Sequence, residues 1–260
     1  MASRIIPGLV SITFRALQPS EIVNLAVECN LRSIEWGGDV HVPHGDVATA
    51  QRVRRLCDDA GIDVSAYGSY YRLASQPDQG PSFQAVMDCA IALRTSTIRV
   101  WAGNMASADA NAAHRSAVAA DLVRIANMAA ARDIRIGLEY HGGTLTDTPE
   151  STLALLQAAL QPNVQSFWQP RHGLSIEQNL AEIELLQPRL ANAHVFHWWP
   201  NPAKRLPLVE GRDRWARYLS ALKPATDQPR HASLEFTRED DPQQLRADAG
   251  TLLALLQQTT

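Results

Sequence analysis

The chain has 260 residues, 24 Lys and Arg against 27 Asp and Glu, and a formal net charge of −3. With 45% hydrophobic and 20% charged residues it can bury a large core, which excludes a disordered polymer, a collagen-like repeat or a disulfide-dependent miniprotein. A slightly acidic chain has no overall attraction for phosphate backbones or anionic lipid, so neither nucleic acid nor a membrane is an expected partner.

The N-terminal stretch MASRIIPGLVSITF carries one Arg and a short apolar run broken by Pro7. That run is too short for a signal peptide, no segment approaches the roughly 20 apolar residues of a membrane span, and a cytoplasmic location is expected. Eight short apolar runs follow one another: Gly8–Phe14, Ser33–Gly37, Asp63–Ser69, Thr97–Ala102, Arg135–His141, Val164–Gln169, Ala193–Trp198 and Ala232–Phe236. Their Ile, Val, Phe, Trp and Tyr content predicts strands. Amphipathic stretches lie between them, such as Ala117–Asp133 and Glu150–Leu160, with apolar residues at three- and four-residue steps. Helix starts are marked at Pro19-Ser20-Glu21, Thr148-Pro149-Glu150 and Asp241-Pro242, and Gly61 stands where a left-handed cap closes the second helix. Cys29, Cys57 and Cys89 form no CxxC pair; an odd, scattered set within helical stretches reads as buried small hydrophobes in a reducing compartment.

Eight strand–helix units of roughly 32 residues each match the size of a βαβ repeat. Strict alternation without a long polar linker predicts α/β architecture, a single (β/α)8 TIM barrel spanning residues 1–260 as one domain. A doubly wound open sheet is disfavoured because no GxGxxG follows the first strand, and no nucleotide cofactor is expected.

Such a barrel builds its site from the C-terminal ends of its strands. Those ends carry Glu35-Trp36-Gly37-Gly38-Asp39, then Tyr67 and Tyr70, Trp101, Glu139-Tyr140-His141, Trp168-Gln169-Pro170-Arg171-His172, His194 with His197-Trp198-Trp199, and Glu235. Charged groups facing a barrel mouth are costly unless paired or bound to a cation. Glu139, Glu235, His197 and His172, on the ends of strands five to eight, therefore predict a site for a divalent ion, with O/N donors that suit Mn2+, Mg2+, Co2+ or Zn2+. Trp36, Trp101, Trp198 and Trp199 are candidate apolar walls for a sugar face, each equally readable as barrel packing. His41 and His44, in the loop after strand two, are candidate substrate contacts or solvated residues. His141 shares a strand face with Glu139. Arg212, with Lys204 and Arg205 in the Pro-rich loop after strand seven, could cover the mouth or lie in solvent.

The motifs IEWGGD, LEYHGGTLTDT, FWQPRH, HVFHWW, EGRDRW and SLEFT resemble, as a set spanning nearly the whole chain, the xylose isomerase-like TIM barrels. That group of sugar isomerases and epimerases includes tagatose/psicose 3-epimerases and hydroxypyruvate isomerases. The resemblance implies that Glu139 and Glu235 bind metal and exchange protons with substrate, that His172 holds a substrate hydroxyl, and that His197, ahead of His194, is the metal-binding imidazole. It implies an Asp ligand where this chain has Gln169, which can offer a carbonyl oxygen but removes one negative charge. The activity so implied is isomerisation or epimerisation of an unphosphorylated keto-sugar or polyol ketone through an enediolate. A lyase on the same scaffold, dehydrating a keto-inositol or cleaving a C-glycoside or 3-keto-glycoside, and a non-catalytic sugar-binding barrel remain the alternatives. The expected partner is a small carbohydrate, and assembly into a homo-oligomer is left open.

Overall fold

The apolar runs and amphipathic stretches become a closed ring of strands with helices outside it, in a computed structural model that describes residues 5–75, 80–224 and 228–258. In chain order the alternation runs β1 (Ile5–Val10), α1 (Pro19–Glu28), β2 (Ser33–Gly37), α2 (Val47–Ala60), β3 (Asp63–Arg72), α3 (Phe83–Ala92), β4 (Thr97–Trp101) and α4 (Ala112–Ala130). It continues through β5 (Arg135–Leu138), α5 (Pro149–Ala159), β6 (Val164–Trp168), α6 (Ile176–Leu186), β7 (Leu190–Val195), α7 (Arg212–Ala221), β8 (Arg230–Leu234) and α8 (Pro242–Gln258). Each barrel strand pairs in parallel with its chain neighbours, and β1 closes the ring by pairing Ile5 with Arg230 through Leu9 with Leu234. This is a (β/α)8 barrel, as the alternation predicts.

Strands covered on both faces read as continuous apolar runs rather than alternating ones, which is why the sequence locates them but blurs their ends. The first, seventh and eighth start two or three residues before the predicted positions, since Leu190, Ala191 and Asn192 have little strand preference and pairing with neighbours recruits them. At the other end β1 stops at Val10, and Ser11–Phe14 forms a turn of 3-10 helix. Trp198 leaves the barrel for a two-stranded antiparallel ribbon, His197–Trp198 against Arg205–Leu206.

The predicted caps are present. Thr148 accepts from the Ser151 amide at 3.2 Å ahead of Pro149, Glu21 closes a capping box on Gln18, and Gly61 ends α2 at φ 66°. The three cysteines are buried and unpaired. Between helices and sheet, Trp168 of β6 packs edge-on against Trp215 and Tyr218 of α7, which fixes the β6 tip beneath that helix. Among the described residues, no helix is long and apolar enough to cross a membrane.

Candidate active site

Barrel interiors are normally filled by layers of branched apolar side chains. Here the layer nearest the C-terminal mouth is ionic. Glu35 of β2 and Arg99 of β4 meet across β3, with Arg99 Nε donating to Glu35 Oε1 at 2.5 Å. They meet because β3 carries Gly68 between them: a Cβ there would stand 2.7 Å from Arg99 Nη2 and 2.9 Å from Glu35 Oε1. Arg99 Nη1 also donates to Glu139 Oε2. Burial disfavours the charge on Glu35, but the Arg99 guanidinium and His194 outweigh it and hold the carboxyl down at about 2.

Glu139 and Glu235 lie one residue past β5 and β8, and each amide continues the ladder, donating at 3.0 Å to Val100 and Val195 respectively. Thr146 Oγ1 donates to the Glu139 carbonyl at 2.5 Å, pinning the turn that follows. His194 of β7 completes the floor. Its Nε2 lies 3.2 Å from Glu35 Oε2, and its Nδ1 lies 3.1 Å from Gln169 Oε1 and 3.5 Å from Glu235 Oε2. Burial opposes a positive charge on this ring, while Glu235 and Glu35 favour it more strongly, so its pKa is raised. One ligand atom from each of Glu139, His194 and Glu235 lies within 4.8 Å of the other two. Two buried carboxylates and an imidazole, with the Gln169 amide oxygen beside them and no thiolate, fit a hard or borderline divalent cation.

Above this floor opens a cavity of about 700 Å3. Tyr70, Trp101, Trp198 and Phe236 supply flat apolar wall. His141 stacks on Trp101, with ring centroids 4.6 Å apart, and His172 lies parallel to Trp198 at 5.5 Å. Burial pushes the His172 pKa below that of an ordinary imidazole, which keeps the ring neutral at neutral pH. The Pro-rich loop reaches the mouth: Pro202 lines the cavity, and Arg205 lies over Trp198 and Phe236 while donating to Asp240 at 2.9 Å. Lys204 is exposed.

The structure brings Glu139, Gln169, His172, Glu235, Trp101 and His141 to one cavity, and it is His194, not His197, whose ring lies within 4.8 Å of both Glu139 and Glu235. In extended backbone, residues three apart point to opposite faces. With His194 inside the barrel, His197 turns outward, so near Gly211 that a Cβ on that glycine would lie 2.6 Å from its ring. Other expectations are also corrected. Trp36 is fully buried in the core, packed edge-on against His41, because Glu35 beside it takes the inward direction. The His41 ring meets Ser11 Oγ at 3.0 Å and borders a separate surface cleft between α1 and α2. His44 is held by the Ser69 carbonyl and packs against Tyr67. Trp199 lies under Arg214, 3.8 Å from its guanidinium carbon, and borders the small cleft that also holds His197. Arg212 is exposed at the start of α7. Sequence reasoning missed the roles of Glu35, Tyr70 and Arg99. The available signal was Arg99 itself, a cation in the middle of the buried five-residue run TIRVW.

A family model described as xylose isomerase-like TIM barrel matches residues 23–255. A curated 3-dehydroshikimate dehydratase from Bacillus anthracis is 27% identical, the alignment covering 94% of this chain and 95% of that protein. The solved structure of the probable 3-DHS dehydratase AsbF from Bacillus anthracis, involved in petrobactin synthesis, superposes with a TM-score of 0.77 at 21% identity, covering 96% of this chain and 98% of its own. The IOLI protein, solved with a zinc atom, also reaches 0.77, at 12% identity and with 98% and 99% coverage. At such identities the superpositions establish the fold.

Proposed function

The chain belongs to the xylose isomerase-like TIM barrel family, and from that premise we propose that it is a divalent-cation-dependent hydro-lyase acting on a ring-shaped β-hydroxy ketone of the 3-dehydroshikimate type. The observation that carries the reading is the convergence of Glu139, His194 and Glu235 at the floor of a cavity whose walls hold two further imidazoles. A cation bound by those three residues and Gln169 would supply Lewis-acid stabilisation of negative charge developing on the ketone oxygen.

The residues divide the remaining work. Glu139 is tied to Arg99, whereas Glu235 Oε2 lies 3.5 Å from His194 Nδ1, longer than a good hydrogen bond. Glu235 is therefore the carboxylate free to take the proton beside the ketone. The β-hydroxyl takes up the proton that Glu235 has accepted and leaves as water, while His172, on the cavity wall, holds that hydroxyl in place. The flat walls of Trp101 and Trp198 match a six-membered ring. Proton removal beside a ketone is also the first half of the isomerase or epimerase reaction expected from the sequence; the likeness to a dehydratase along nearly the whole chain favours loss of water as the second half.

Incubation of the Mn2+-supplemented protein with 3-dehydroshikimate, followed by absorbance and mass spectrometry, tests this. The expected product has lost one water and become an aromatic dihydroxybenzoate, and Glu235→Gln lowers the rate at least about 100-fold. Unchanged 3-dehydroshikimate, with a ketose in a parallel incubation converted to an epimer of the same mass, would assign the protein to the isomerases.

A further inference from the structure

Gln169 leaves the cation site one carboxylate short of the pattern the chain resembles. A third acidic residue, Glu35, lies directly behind the site, its side chain 2% exposed. We infer that Glu35 acts as a positioning residue that restores the missing charge and aims His194 at the cation. The inference rests on the reading that Glu139, His194 and Glu235 hold a divalent ion.

The geometry makes Glu35 a hub. Its Oε2 accepts from His194 Nε2 at 3.2 Å, while its Oε1 accepts from Arg99 Nε at 2.5 Å, and Arg99 in turn donates to Glu139. One carboxylate thereby orients two of the three converging donors. Both ring nitrogens face acceptors, and with Nε2–H held by Glu35 it is Nδ1, 3.5 Å from Glu235 and 3.1 Å from Gln169, whose proton a bound cation would replace. A carboxylate behind a ligating imidazole fixes its tautomer and raises its basicity, and losing it usually costs about 10- to 100-fold in metal affinity. The charge balance agrees. Glu35, Glu139 and Glu235 against Arg99 leave two formal negative charges within the buried cluster, the complement of a divalent ion. Without Glu35 only one would remain. Gly68 keeps the space through which Glu35 and Arg99 meet.

Calorimetric titration of the chelator-treated full chain with Mn2+ tests this without reference to turnover. Glu35→Gln is expected to weaken binding by about 10- to 100-fold, and adding Gln169→Asp to it to recover most of that loss by returning the charge from the other side. Equal affinity in wild type and Glu35→Gln would overturn the inference, as would failure of wild type to bind Mn2+. If Glu35→Gln does not fold, wild-type protein loaded with NMR-active cadmium decides. Cadmium splitting on His194 Nδ1, with the proton retained on Nε2, supports the inference, and splitting on Nε2 refutes it. Tight, Glu35-dependent Mn2+ binding without dehydration of 3-dehydroshikimate would reject the proposed reaction and leave this inference standing.

Discussion

Arg99→Met removes the one guanidinium shared by Glu35 and Glu139, whose side chains are 2% and 5% exposed. Breaking a buried pair by deleting one partner costs about 3–5 kcal/mol, because a carboxylate stays behind in low dielectric. The Glu35 carboxyl gives a second route to the magnitude. It is held at about 2 against an ordinary 4.5, and loss of that depression alone amounts to about 3 kcal/mol. For a chain of this size the melting temperature should fall on the order of 10 °C near pH 8. The sign reverses in acid. In wild type the depressed pKa contributes stability above the ordinary carboxylate range and loses it as pH falls towards 2. In the variant only His194 is left to oppose burial, the carboxyl rises relative to wild type, and acidification relieves part of the penalty. Denaturation followed by tryptophan fluorescence at pH 8 and pH 5 should show the gap between the proteins shrinking at the lower pH. A gap under about 1 kcal/mol at pH 8, or one that widens in acid, would refute the buried network as drawn.

His231, hydrogen-bonded through Nδ1 to Ser33 Oγ at 2.9 Å, has its pKa lowered by burial to about 4. The unfolded chain therefore binds this proton first, and stability should fall as pH drops from about 6.5 to 4; His231→Gln should flatten that limb of the profile by about 3 kcal/mol. Leu160 caps α5 at φ 49° with 79% of its surface exposed, so Leu160→Gly should stabilise the chain by about 1 kcal/mol in urea titration, an outcome that a loss of stability would contradict. His194→Asn should abolish Mn2+ binding while His197→Asn leaves the affinity unchanged; the reverse pattern would restore the ligand expected from the HVFHWW motif.

Much of this was legible in the sequence because parallel-barrel strands announce themselves as short apolar runs with capped helices between them. Glu139, Gln169 and Glu235 could be found for the same reason, as polar residues where such runs end. The errors trace to strand phase. His194 and His197 are equally plausible ligands by type, and only the direction each takes from β7 separates them. Phase likewise sends Glu35 inward and so removes Trp36 from the substrate wall. Arg99 was overlooked because a cation within an apolar run has no partner in sequence; Glu35 and Glu139 lie 64 and 40 residues away, and they meet it across Gly68 of β3 and from the adjacent β5 respectively. His41 and His44 follow β2 closely, but Ser11 and the Ser69 carbonyl bind them beside the barrel rather than over its mouth.

Anomalous diffraction from a crystal of the full chain soaked in Mn2+ tests the cation site most directly. A single strong peak is predicted within roughly 2.0–2.4 Å of a carboxylate oxygen from each of Glu139 and Glu235 and of His194 Nδ1. A peak beside His197, or none between the two glutamates at saturating Mn2+, would contradict it.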